Sequence, residues 1–447
     1  MLPTILTRAA PHLASADPSA SRSSYRPRRP RSASAQRRNR ADHAHPVKHL
    51  RLACLLGVIV LAACTLPRKP TPPSAPDVVA PVGFPATIRH LSTDGTRVVA
   101  SAEAFERQRR EATGGPVRIL ALSGGGAGGA FGAGALVGLT RRGERPQFDV
   151  VTGVSTGALL APFAFLGPDW DAQMTDAFTS QRTEHHLAVG TFSLLLGSSR
   201  SRGANLKSLV DHYVTGGLIK AVAREAAAGR VLLVVTTDLD RQEAVIWNMG
   251  RIAAVGGERA RRLFRDVLVA SASVPGLFSP TLIRVRDGGK LYDEMHVDGN
   301  TTTAMLVVSE AVYYMPLSSV SLRGAQVYVL MNGQVRGLPT TTQLALGSIL
   351  SRSFTTAMTY MSRTQILEAK QFADQHGMSM HVTAIAAGHP SVDPVDFRVP
   401  AMRALFDYGE RCAESDQLWT TVDQLLSHTT KEGTQQQVDP QTECPGP

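Results

Sequence analysis

A serine set between two glycines is the residue in this chain best suited to covalent chemistry. Gly153-Val154-Ser155-Thr156-Gly157 reads Gly-x-Ser-x-Gly. It follows Phe148-Asp149-Val150-Val151-Thr152, a run that reads as a buried strand, and precedes residues apolar enough to open a helix. A serine on a strand-to-helix corner is held in a strained backbone conformation that brings its hydroxyl into the open, and small neighbours let a substrate approach. The pentapeptide alone also describes any tight turn, so other residues must decide its meaning.

The first such residues are Ser123 to Gly134, SGGGAGGAFGAG, directly after the apolar run Val117–Leu122. Amides at a glycine-rich helix start point outward together at the positive end of the helix dipole, and can hold a bound phosphate or a developing oxyanion. Gly124–Gly129 formally satisfies the dinucleotide pattern G-x-G-x-x-G, which would make the chain a nucleotide-binding oxidoreductase. That pattern expects an acidic residue at the end of the next strand, about twenty positions on. Glu144 stands at that distance but in the polar loop Arg141–Arg145, whereas the next strand runs into Ser155. Amides of Gly124, Gly125 and Gly126 beside a serine hydroxyl suit acyl transfer better.

A serine hydroxyl needs a base. Two Asp-Gly pairs compete for the part. Asp287-Gly288-Gly289 lies between the short apolar runs Leu282–Val285 and Leu291-Tyr292 and has the chemistry of a hairpin turn, where an aspartate is solvated. Asp298, in Val297-Asp298-Gly299, follows a second short run and is the stronger candidate. His296, His381 and His389 stand late enough to complete a Ser–acid–His order, with His381 the first to test. Surface or structural roles weigh more heavily for all of them. His185-His186 has no third ligand at metal-binding spacing.

The order of glycine loop, serine elbow and late Asp-Gly resembles the patatin-like phospholipases. The resemblance runs from about Val117 to Met331, more faintly to Tyr408, and includes the stretch Ala270–Pro280. It implies a Ser155–Asp298 dyad without a catalytic histidine, a lipid acyl ester as substrate, and no metal or organic cofactor. Two departures stand out: Gly128 occupies a place where the family often has Arg or Lys, and Asn300 follows Asp298-Gly299 where the family has Gly or Ala. The missing cation keeps open a catalytically weak protein that serves as an interaction module.

These side chains need a sheet to position them. Strands are expected at Val117–Ser123, Phe148–Val154, Val231–Thr237, Ala244–Trp247, Leu282–Val285, Lys290–Tyr292 and Gln326–Met331. Helices are expected at Ala102–Glu111, Gly132–Thr140, Leu206–Tyr213, Ile219–Ala228, Glu258–Ser271 and through 341–375. Apolar strands alternating with amphipathic helices predict a three-layer α/β/α domain around a mainly parallel sheet, spanning 116–425.

The charge lies outside that domain. Of 447 residues with a net charge of +10, residues 1–63 hold 11 Lys+Arg against Asp17 and Asp42, so the other 384 hold 36 basic and 35 acidic residues. A nucleic-acid partner loses its main support, because phosphate binding needs clustered cations. Residues 1–46, rich in Arg, Ser and Pro, read as a disordered extension; a translation start near Val47 would place Lys48 and Arg51 at the head of a signal peptide. Arg37-Arg38 is a weaker hint of twin-arginine export. The twelve apolar residues Leu52–Ala63 are too few to span a bilayer. Leu61-Ala62-Ala63-Cys64 resembles a bacterial lipobox, which implies cleavage after 47–63 and acylation of Cys64. Thr65 beside that cysteine favours the outer membrane, facing the periplasm. Residues 64–115 then form a proline-rich spacer and lead-in, and 426–447 a polar tail. In an oxidising compartment Cys412 and Cys444 are an even pair that allows a disulfide, with two free thiols as the alternative.

Overall fold

The computed structural model describes residues 68–74, 78–112, 115–187, 199–313, 322–336, 341–387, 389, 393–426 and 444–445. The extension 1–46, the segment 47–63 and Cys64 lie outside them. Ten strands are described: β1 Ala80–Pro81, β2 Arg89–Leu91, β3 Arg118–Leu122, β4 Val150–Val154, β5 Val231–Asp238, β6 Glu243–Asn248, β7 Thr281–Asp287, β8 Lys290–Asp298, β9 Gln326–Met331 and β10 Ser379–Ala384. The helices are α1 Gly95–Ala112, α2 Gly129–Arg142, α3 Thr156–Leu166, α4 Asp171–Thr179, α5 Gln181–Leu187, α6 Ser199–Tyr213, α7 Gly216–Ala227, α8 Met249–Ala254, α9 Gly257–Ser271, α10 Leu346–His376, α11 Val399–Glu414 and α12 Val422–Leu426.

The strands form one sheet in the order β1-β7-β8-β5-β4-β3-β9-β10, with β6 joined to β5 and β2. From β5 to β10 every pairing is parallel, and antiparallel strands complete the other end. The parallel strands are apolar on both faces because helices cover both. Along β3, Leu120 and Leu122 join one core with Phe131 and Leu136 of α2, Leu160 of α3 and Leu405 of α11. Ile119 and Ala121 point the other way, into a second core with Ile366, Ala369 and Phe372 of α10. That period-two alternation defines three layers. α3 is apolar all round, as a helix wedged between sheet and neighbouring helices must be.

Three expectations need revision. β8 runs unbroken to Asp298 instead of stopping at Tyr292, because its charged residues are paired inside the protein. Residues 80–91 belong to the sheet and are not a lead-in: β1 pairs with β7 and β2 with β6. The proline-rich stretch is pinned over 68–74, with Arg68 ion-paired to Asp240 at 2.5 Å and Arg241 donating to the carbonyls of Pro72 and Ser74. At the other end Cys444 is bonded to Cys412 of α11 with Cα atoms 5.5 Å apart.

Candidate active site

Strand register brings Ser155 and Asp298 together. One edge of β5 is shared by two strands in succession: Val154 of β4 pairs with Val235, and Asp298 of β8 pairs with Thr236, the next residue along. The end of β4 therefore meets the end of β8, although the two residues are 143 positions apart in sequence. Ser155 has φ 54° and ψ −123°, a left-handed-side conformation unusual for a residue with a side chain. Its amide donates to Ser271 Oγ at 3.0 Å, and that hydroxyl donates to the Val235 carbonyl at 2.6 Å. The corner has no room for a larger residue at Gly157, where a Cβ would stand 2.4 Å from the Leu122 carbonyl oxygen.

The Ser155 hydroxyl donates to Asp298 Oδ2 at 2.6 Å, with the two residues 5% and 2% exposed. Asp298 Oδ1 accepts from the Asn300 amide at 2.8 Å, its own amide donates to the Ser273 carbonyl, and its carbonyl accepts from Thr237 Oγ1. Burial lifts the Asp298 pKa to about 7; the hydrogen bonds from Ser155 and the Asn300 amide pull the other way without cancelling it. The carboxyl thus titrates near neutrality, where a base can both accept and release a proton.

The glycine loop lies between β3 and α2, against the serine. Its first amide is committed elsewhere: Gly124 donates to the Ala304 carbonyl at 3.1 Å. Gly124 therefore drops out of the expected set of amide donors, and Gly125 and Gly126 remain, with no hydrogen bond to their amides among the described residues. Asn332, at the end of β9, braces the loop from behind. Its amide donates to Ser123 Oγ at 2.9 Å and its Nδ2 to the Ser123 carbonyl at 2.7 Å. The approach is so close that a Cβ at Gly125 or Gly128 would meet the Asn332 carbonyl oxygen at 1.8 or 2.0 Å. The cation absent from position 128 has no space there.

The competing residues lie elsewhere. Asp287 ends β7 at a hairpin whose tip, Gly288-Gly289, has φ of 52° and 83°, as the turn chemistry predicts. His296 is buried on Thr236 and Glu294, His381 stacks on Tyr328 at the sheet's edge, and His389 lies tilted against the Tyr408 ring. Glu144 pairs with Arg142 in a surface loop, away from the place a ribose-binding acid would occupy.

One group of potential metal ligands comes together among the described residues: Asp238, Glu294 and His296. Its positive charge is already supplied. Arg89 holds Glu294 through its two terminal guanidinium nitrogens, and Arg241 lies 2.7 Å from Asp238 and 3.5 Å from Glu294. Burial raises the Glu294 pKa, but Arg89 and His296 outweigh it and bring it to about 2.

Ser271 and Asn332 were not foreseen. Each acts on a strand end far from it in sequence; Ser271 lies in the stretch Ala270–Pro280 that carries the resemblance, which assigned it no role, and Asn332 carries no local motif. Next to the site, an apolar cavity of about 60 Å³ extends from Gly126 and Thr156 between Leu159, Phe163, Phe178 and Leu268.

A serine at a strand-to-helix corner and a glycine-rich turn stand side by side at the carboxyl ends of the adjacent parallel strands β4 and β3. Residues 120–307 match the family described as patatin-like phospholipase, and this part of the chain belongs to that family, whose activity is lipid hydrolysis. No curated protein matches the chain. Among solved structures it is similar to VipD from Legionella pneumophila, at 13% identity over 67% of each chain with a TM-score of 0.29. It is also similar to human GIVD cytosolic phospholipase A2 in complex with methyl gamma-linolenyl fluorophosphonate, at 11% identity over 74% of this chain and 64% of that one, TM-score 0.28. The chain thus spans less than two thirds of the human enzyme, and overlaps this loose transfer no residue roles.

Proposed function

We propose that the protein is a lipid acyl-ester hydrolase working through a Ser155–Asp298 dyad. The observation that carries the reading is the 2.6 Å hydrogen bond from a buried serine at positive φ to a buried carboxylate whose pKa lies near 7. Asp298 takes the Ser155 proton as the hydroxyl attacks the ester carbonyl. Amides of Gly125 and Gly126 receive the negative charge that forms on oxygen. The tetrahedral intermediate collapses to acyl-Ser155, and the leaving alcohol takes the proton from Asp298. Water, activated by the same carboxylate, then releases the acid. The narrow apolar cavity beside Thr156 is the place for the start of the acyl chain.

The sequence pattern supports a membrane setting for this chemistry: export, acylation of Cys64, and an outer-membrane position facing the periplasm. No nucleic-acid partner is implied, and no cofactor enters any step.

Ser155→Ala should abolish hydrolysis of short-chain and phospholipid esters and labelling by a fluorophosphonate probe. Asp298→Asn should lower turnover by at least about a hundredfold, the usual scale for a positioned acid–base group, and Asp287→Asn should leave it unchanged. Wild-type turnover in Ser155→Ala would rule out the mechanism. A greater loss in Asp287→Asn than in Asp298→Asn would reassign the base.

A further inference from the structure

Helix α10 has a half that the domain does not use. Its carboxyl-terminal part packs through Ile366, Ala369, Phe372 and Ala373, but from Leu346 to Ala357 almost every residue is exposed. Those twelve residues extend about 18 Å at 1.5 Å per residue. Of fourteen large apolar side chains exposed among the described residues, seven lie between Leu344 and Leu367, a concentration that scattered surface residues do not produce.

They are also ordered. At roughly 100° per residue, Leu346, Ile349, Leu350, Phe354, Tyr360 and Leu367 fall within an arc of roughly 140°, centred roughly 140° from the residues that pack on the sheet. Apart from Phe354, which stands in line with Phe372, the stripe is therefore not the core-facing side prolonged. Arg352 and Arg363 flank one edge of it. Between Glu310 and Glu368 the sequence has no acid and four arginines, at 323, 336, 352 and 363.

The helix is fixed to the rim of the candidate active site. Gln365 Oε1 accepts from the amides of Ala304 and Met305, and Asn300 Nδ2 donates to Met358 Sδ at 3.3 Å. Asn300 is the residue whose amide holds Asp298.

We propose that the amino-terminal half of α10 is an interfacial arm that beds its apolar stripe in an anionic lipid surface, beside the mouth of the site. An exposed apolar stripe edged by arginines and free of acids matches a headgroup layer of negative charge over acyl chains. The surface deepens the lipid-hydrolase reading by stating how the site meets its substrate, yet binding itself needs no working serine.

The test uses the full chain carrying Cys64→Ser, so that no acyl anchor contributes. Its co-sedimentation with phosphatidylglycerol-containing vesicles should exceed that with phosphatidylcholine alone and weaken with salt. Adding Leu350→Asp and Phe354→Asp should reduce vesicle binding about tenfold or more, since two inserted apolar side chains are replaced by charges. Turnover of a soluble short-chain ester should stay as it was, which reports an intact fold. Ser155→Ala protein should bind vesicles like the parent, so a failed catalytic assignment would show separately. Equal vesicle binding by parent and double variant would overturn the proposal. So would loss of a parent dimer in the double variant without loss of vesicle binding, which would assign the stripe to a second copy of the chain.

Discussion

Asp298 is buried enough to be a base at neutral pH, and the same burial makes its charge costly to the fold. Its folded pKa of about 7 lies above the ordinary value of 3.8, so between about pH 4 and 7 the folded protein binds more protons than the unfolded chain. Stability contributed by the neutral carboxyl is therefore full at low pH and is lost as pH rises through that window. The loss is on the order of 4 kcal/mol, from three pKa units at about 1.4 kcal/mol each. Activity runs the other way, because only the ionised carboxylate can accept the Ser155 proton: kcat/KM should climb through about pH 7. Asp298→Asn separates the two. It should be nearly inactive at every pH, and its thermal midpoint should exceed the wild-type value by more at pH 8 than at pH 5. Equal pH dependence of the two midpoints would mean that Asp298 titrates in its ordinary range. Glu294 shows the opposite sign. Its depressed pKa contributes stability above the ordinary 4.5, lost only as pH falls toward about 2.

At the scale of elements, α2 and α11 illustrate a conflict between local propensity and packing. Gly134 sits mid-helix in α2, where alanine would be favoured by about 1 kcal/mol. A Cβ there would stand 1.9 Å from the Phe406 carbonyl oxygen of α11, a backbone atom that cannot turn aside. Overlap of that kind costs about 1–3 kcal/mol, so packing outweighs propensity and Gly134→Ala should destabilise. A denaturant midpoint that rises in this variant would show that the two helices can part. The same contrast explains what could be read in advance. The elbow, the glycine loop and β9 were legible because their signals are local: apolar runs and small residues at a turn. The far half of β8 was not, since Asp293, Glu294 and His296 break the apolar pattern and it is Arg284, Arg89 and Thr236 from other strands, with Arg241, that make them tolerable in a sheet. Nor was the commitment of the Gly124 amide, which depends on Ala304 arriving from 180 residues away. Asp298 was legible through the turn chemistry of its rival, Asp287, more than through its own surroundings.

On the scale of the whole molecule, three separate features collect at the carboxyl ends of the parallel strands. Ser155 follows β4. The arm of α10 is fastened to the loop after Asp298. Arg68 is tied to Asp240, two residues past the end of β5, which runs parallel to β4. Cys64 is four residues before Arg68, a reach of at most about 14 Å. The proposed acyl chain on that cysteine would tether the protein to the bilayer a few residues before Arg68. Tether and arm then act on the same membrane, and the arm alone should hold the protein only by a salt-sensitive contact. Wild-type protein in its native host should fractionate with membranes and need detergent for release, whereas Cys64→Ser should be freed by high salt without detergent. Metabolic labelling with a fatty acid should mark the wild type and miss the variant. If Cys64→Ser still required detergent, the anchor would lie elsewhere in the chain. If high salt freed the wild type, the arm would be its main hold on the membrane, and the proposed acylation would fall.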